Sequence, residues 1–108
     1  MAVHKPKSVS IMGSTYSIKF VKSVDKEDSC GSTRIDQLTI RVNNLMALDA
    51  QRETLLHELL HCCLIDCAYT VPNEKNIVDI EENIILHASP RLFQVLRDNP
   101  KVANFLLG

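Results

Sequence analysis

The sequence has no excess of charge of either sign: 12 lysines and arginines against 13 aspartates and glutamates leave a formal −1 over 108 residues. Nothing in that balance draws the chain to nucleic acid or to an anionic membrane. No apolar run reaches the length needed to cross a bilayer. The opening, Met1 to Ser10, is basic but has no apolar secretion-signal core behind it, so the expectation is a cytoplasmic protein with neither membrane nor nucleic-acid partner. Repeats, low-complexity tracts and charge blocks are missing as well, which leaves no candidate linker and points to one domain over 1–108. With 45% apolar and 23% charged residues the composition is that of an ordinary globular protein. Its core must be modest at this length, so a metal ion can add to its stability.

Four cysteines are present, Cys30, Cys62, Cys63 and Cys67. Three of them fall in one helical run, where neighbouring side chains point in different directions and are badly placed to bridge one another. They read as reduced thiols acting mostly as small core residues.

Three strands are expected in the first half. Ser8 to Met12 precedes the turn-like Gly13-Ser14-Thr15; then Tyr16, Ile18 and Phe20 alternate with Ser17, Lys19 and Val21; Leu38 to Val42 alternates again. Asp25 to Ser29 reads as a loop. Beyond Asn43-Asn44 the period changes. With Asp49 as N-cap, Leu55, Leu56, Leu59, Leu60, Cys63, Leu64 and Cys67 recur at helical spacing, and Val71-Pro72 sets an end near Ala68. Asn73 can cap a second helix with Ile77, Ile80, Ile84, Ile85 and Ala88 on its apolar side. Ser89-Pro90 is expected to kink or restart it before Leu92, Phe93, Val95 and Leu96. Asp98-Asn99-Pro100 punctuates the chain before a short last helix. The expected class is α+β: a three-stranded antiparallel sheet, a metal-binding helix, a second long helix and a short C-terminal one.

Chemistry concentrates in His57-Glu58-Leu59-Leu60-His61. Histidines four apart share one helix face, about one turn apart, and two imidazole nitrogens can converge on one zinc ion without distorting the backbone. Glu58 points about 100° round the helix from His57. That is poor for the same ligand shell but within reach of a metal-bound water, whose proton a carboxylate can take. H-E-x-x-H is therefore two ligands and a general base in five residues. With only four histidines in the chain, a shuffled sequence would show the pattern about once in a hundred, so composition alone does not explain it. The plainer alternative is a helix with two polar residues turned to solvent.

A catalytic zinc takes a third protein ligand and leaves a position for water. The candidates are Glu81, Glu82, Asp79, His87, Asp66 and Cys30. Asp66 falls off the ligand face. Glu81 lies four after Ile77 and three before Ile84, on the inward side of the second helix, and Glu82 lies about 100° further round. His87 reads more readily as a half-buried histidine bonded locally, and nothing fixes the distance of Cys30. Tyr69 and His87 are also conceivable as oxyanion partners, though each is more often structural.

The segment Thr54 to His61, followed twenty residues on by Glu81, resembles the gluzincin arrangement of zinc metallopeptidases. The resemblance is closer to small ImmA/IrrE-like metallopeptidases and to short phage and prophage proteins on that plan. In that group the third-ligand glutamate is followed at three and seven residues by small or apolar positions, which Ile84 and Ala88 supply if Glu81 is the ligand. Gly31 to Val42 is similar to the group's glycine-initiated strand, and Asp98-Asn99-Pro100 to its helix end. The resemblance implies zinc held by His57, His61 and Glu81, peptide hydrolysis with Glu58 as base, a protein or peptide substrate, and a phage-encoded protein in a host cytoplasm. The larger members' extra helices are missing. A second expectation of another class is therefore a zinc-stabilised binding module without physiological hydrolysis. Peptide deformylase, with the same helical motif and an upstream cysteine, fits poorly around Cys30.

Overall fold

Period-two alternation becomes burial in the second strand, where Tyr16 and Ile18 are buried and Ser17 and Lys19 are exposed. The computed structural model describes residues 3–22, 24, 29–65 and 77–108, and in them the chain is α+β, with one mixed sheet and three helices. The strands are β1 (Ser8–Ile11), β2 (Ser14–Val21), β3 (Gly31–Arg34) and β4 (Thr39–Asn43). A 3-10 turn, Ile35–Gln37, joins β3 to β4. The helices are α1 (Leu48–Cys63), α2 (Ile77–Asp98) and α3 (Pro100–Leu107). None of them is long and apolar enough to cross a membrane.

The sheet corrects the expectation of three antiparallel strands. Its order is β1-β2-β4-β3; β1 pairs antiparallel with β2, and β3 with β4, but β2 and β4 run parallel. The missed strand is β3, whose Gly-Ser-Thr-Arg carries no apolar alternation and lies half-buried along most of its length. It runs back along the sheet one place further out. β4 then returns between it and β2, which makes β4 an inner strand and β3 an edge. The β1–β2 turn tightens to Met12-Gly13, both at positive φ (51° and 86°), as a two-residue hairpin connection requires.

One face of the sheet carries Val9, Ile11, Tyr16, Ile18, Ile40 and Val42 into a core closed by Leu55, Leu59, Cys62 and Cys63 of α1, Val95 of α2, and Val102 and Phe105 of α3. α1 starts one residue before Asp49, with Ala47 at the cap position and no side-chain cap. Asp49 instead pairs with Arg52 at 2.8 Å, favourably placed in the positive first turn. α1 ends at Cys63, short of Ala68, which lies outside the described residues, as does Asn73. Its last turn is closed by Arg91 of α2, whose guanidinium donates to the Cys63 carbonyl at 2.9 Å. α2 runs unbroken through Pro90. Pro90 is exposed, so the carbonyl that loses its helical donor there can turn to water. Ile84 and Ile85, expected on the core side, are 37% and 45% exposed.

The β1 edge is sealed by side chains. Asn99, between α2 and α3, accepts from the Ser10 amide at 2.8 Å and donates to the Ser10 carbonyl at 3.0 Å, imitating a paired strand residue. Gln94 donates to the same carbonyl and accepts from the Met12 amide, both at 3.1 Å. Asn99→Ala removes three bonds to backbone groups at once, the third to the Val95 carbonyl at 2.8 Å, and should cost about 1–3 kcal/mol. Urea unfolding would show it as a lower midpoint with an unchanged slope.

Candidate metal centre

Helical geometry divides α1 into three faces at the motif. Leu55, Leu59, Cys62 and Cys63 fill the core, Glu58 sits buried at the margin under β3, and His57 and His61 stand on the outer side. The histidines are thus not drawn into the apolar core that flanks them in sequence; the His57 side chain is 67% exposed. Their Nε2 atoms face one another at 3.1 Å, with the rings edge to face and their centroids 4.7 Å apart. Zinc–nitrogen bonds of about 2.0–2.1 Å at a tetrahedral angle put two nitrogens roughly 3.3 Å apart. The pair therefore fits a single ion with little movement. Without an ion, one ring donates its Nε2–H to the other.

Glu58 is the third member. One carboxylate oxygen, Oε1, accepts from the Thr33 hydroxyl at 2.7 Å, and the other, Oε2, lies 3.9 Å from His57 Nε2. Its partner Thr33 is a site residue that no motif signals, because it is recruited by the edge strand rather than by spacing along α1. Gly31 makes this possible. A Cβ there would stand 2.6 Å from Thr54 Cγ2 and 2.9 Å from the Arg41 carbonyl oxygen, so only glycine lets β3 approach α1 this closely. A concavity of about 460 Å³ opens between them, lined by Thr33, Ile35, Glu58, His61, Leu64 and Ile65. Larger ones, of about 570 and 660 Å³, lie away from the motif.

The other sequence candidates are placed as follows. Glu81, Glu82 and Asp79 are exposed near the start of α2. His87 is half-buried and bonds locally, its Nδ1 donating to the Asn83 carbonyl at 2.8 Å. Cys30 is exposed. Asp66, Cys67 and Tyr69 lie outside the described residues. The structure brings His57, Glu58 and His61 together; among the described residues it gathers no three histidine, cysteine or acidic side chains into a group able to hold a metal.

Cys62 and Cys63 are free and buried, as core thiols should be. Burial, then the neighbouring Cys63 and Glu58, pushes the Cys62 thiol up to about 12. Burial raises Cys63 as well, against the opposing pull of Arg91. Comparison with known protein families, characterised proteins and solved structures finds no match to this chain.

The thiols give a pH test. A thiol whose folded pKa is raised stays protonated in the fold while the unfolded chain ionises, so stability is complete below pH ~9 and declines towards ~12. Urea unfolding of the metal-free protein should show a lower midpoint at pH 10 than at pH 7.5. Alkylation mapped by mass spectrometry should label Cys30 in the native state, and Cys62 and Cys63 only on unfolding.

Proposed function

We propose that the chain is a zinc-dependent peptide hydrolase of gluzincin type, with His57, His61 and Glu81 as metal ligands and Glu58 as general base. The observation that carries this reading is the facing imidazole pair, 3.1 Å apart, with a buried carboxylate 3.9 Å from one of its nitrogens. Zinc, when bound, supplies a Lewis acid for a peptide carbonyl and lowers the pKa of water towards neutrality. The Thr33 bond ties down one Glu58 oxygen and leaves Oε2 on the histidine side, free to take the attacking water's proton and hand it to the departing amine. Glu81 joins the set from the sequence pattern, with Ile84 and Ala88 after it. The resemblance to small ImmA/IrrE-like proteins adds a phage or prophage origin and a host cytoplasm to the proposal.

The sheet supports a protein or peptide substrate, though not along Leu38 to Val42, since β4 is an inner strand. The edge beside the motif is β3. The Asn43 amide donates to the Cys30 carbonyl at 2.8 Å, so 30/43, 32/41 and 34/39 are the hydrogen-bonded pairs and the backbone of Gly31 and Thr33 faces outward. The Gly31 carbonyl already accepts from the Ser29 hydroxyl at 3.1 Å, so an extended peptide would pair chiefly through Thr33, next to Glu58. A second reading, a zinc-stabilised binding module without hydrolysis, is favoured by the exposure of the histidine pair on an open face. Glu58 separates the two, because a purely structural site needs no base.

Glu58→Gln should retain stoichiometric zinc and lose about 10²–10⁴-fold in hydrolysis of a casein-type substrate. A wild type inert on every substrate, yet unfolded by chelation, would instead establish the binding module. Glu81→Ala should weaken zinc by more than the roughly 10–100-fold that an outer-shell loss costs, and far more than Glu82→Ala does; the reverse order sinks Glu81 as ligand.

A further inference from the structure

α2 carries more apolar surface than its packing uses. Leu86 is 66% exposed, Phe93 63% and Leu96 38%. With the exposed Glu82 and Ser89 they fall at 82, 86, 89, 93 and 96. That is an alternating four–three spacing, the seam of a helix that packs against another helix. It lies roughly 130–140° round α2 from the fully buried Val95, so the core does not account for it. One flank, through Leu92 and Leu96, continues into an apolar groove of about 570 Å³ walled by Leu56, Leu106 and Leu107. Monomeric domains seldom leave a surface of this extent uncovered.

The charges on the seam indicate what covers it. Glu82 stands near one end and Arg97 just beyond the other, with the Arg97 guanidinium 5.8 Å from the Phe93 ring and 3.8 Å from the Asp98 carboxylate, an exposed pair weak enough to be shared with a partner. Turned end for end about residue 91, the positions Leu86, Ser89, Phe93 and Leu96 map onto themselves. Leu86 then meets Leu96 of a second copy, the small Ser89 meets Phe93, and Glu82 comes within one helical turn of the partner copy's Arg97 position. Parallel self-pairing would instead oppose Glu82 to Glu82 and Arg97 to Arg97. We propose that α2 is a homodimer interface, in which two copies of this chain pair antiparallel along Glu82, Leu86, Ser89, Phe93 and Leu96. The contact is isologous, so it closes as a dimer and does not propagate. At about 1.5 Å per residue the 22-residue helix spans about 33 Å.

Sedimentation and light scattering of the full chain, from about 1 to 500 µM with and without zinc, test this. The wild type should pass from monomer to dimer. Phe93→Glu should raise the dissociation constant at least tenfold, as loss of a central aromatic anchor does, with the circular dichroism unchanged. Leu86→Glu reads the same face should that variant unfold. Glu82→Arg and Arg97→Glu should each weaken the dimer, and together restore it to within about threefold. A wild type that stays monomeric throughout overturns the proposal, even if the seam captures a foreign amphipathic helix. So does a dimer indifferent to both seam substitutions, or a charge swap no tighter than its single variants. These readouts are independent of hydrolysis, so they stand or fall apart from the peptidase reading.

Discussion

The arrangement at the motif depends on one close approach, the passage of the β3 backbone over α1 at Gly31. Strands normally stand off a helix by the thickness of their side chains. Here residue 31 has none, and even one carbon would collide with Thr54 and with the neighbouring strand's carbonyl. The approach brings Thr33, two residues on and on the same face of the strand, within hydrogen-bond reach of Glu58. A buried carboxylate without such a partner would carry a desolvation cost that α1 alone does not offset. The strand therefore does more than finish the sheet: it makes it affordable to bury Glu58 beside the exposed histidines.

The two sheet edges are treated differently, and the difference has chemical meaning. An open edge is a template for pairing with another chain. At β1 that hazard is removed by Asn99 and Gln94, whose amides take up the backbone groups of Ser10 and Met12. At β3 the cover is thinner: the Ser29 hydroxyl takes up the Gly31 carbonyl at 3.1 Å, and the next outward-facing residue, Thr33, gives its hydroxyl to Glu58.

What could be read from the sequence follows from the range of each interaction. The histidine pair of α1 is a local matter: four-residue spacing puts His57 and His61 together, and the structure places their nitrogens in contact. The β2 strand is equally local, since its alternation is visible in eight residues. β3 is not, because an edge strand that is half-buried on both faces needs no apolar period, and its pairing with β4 is decided by residues beyond the turn. The parallel β2–β4 pairing follows from that insertion and was hidden with it. Thr33 was hidden for the same reason. Asp49 looked like a cap because caps and first-turn acids share residue types; only the backbone separates them. Pro90 looked like a break because a missing donor ends a helix when buried, and its exposure is not a local property of Ser89-Pro90.

Glu81 and Glu82 differ by one step of helix rotation, and packing fixes the rotation of α2. Val95 is fully buried, and Arg91, one turn before it, reaches the end of α1 at Cys63. Together they set which side of α2 is turned to α1. Counting about 100° per residue, Glu81 lies roughly 40° from the direction of Val95 and Glu82 roughly 140° from it. Both side chains are exposed, but only the first stands on the flank that continues the Ile84, Ala88 and Val95 side. The second stands on the Leu86–Phe93 seam. Neighbours in the chain are thereby sent to different surfaces, because a period of 3.6 residues turns consecutive side chains about 100° apart; among the described residues neither glutamate joins His57 and His61 in a group able to hold a metal.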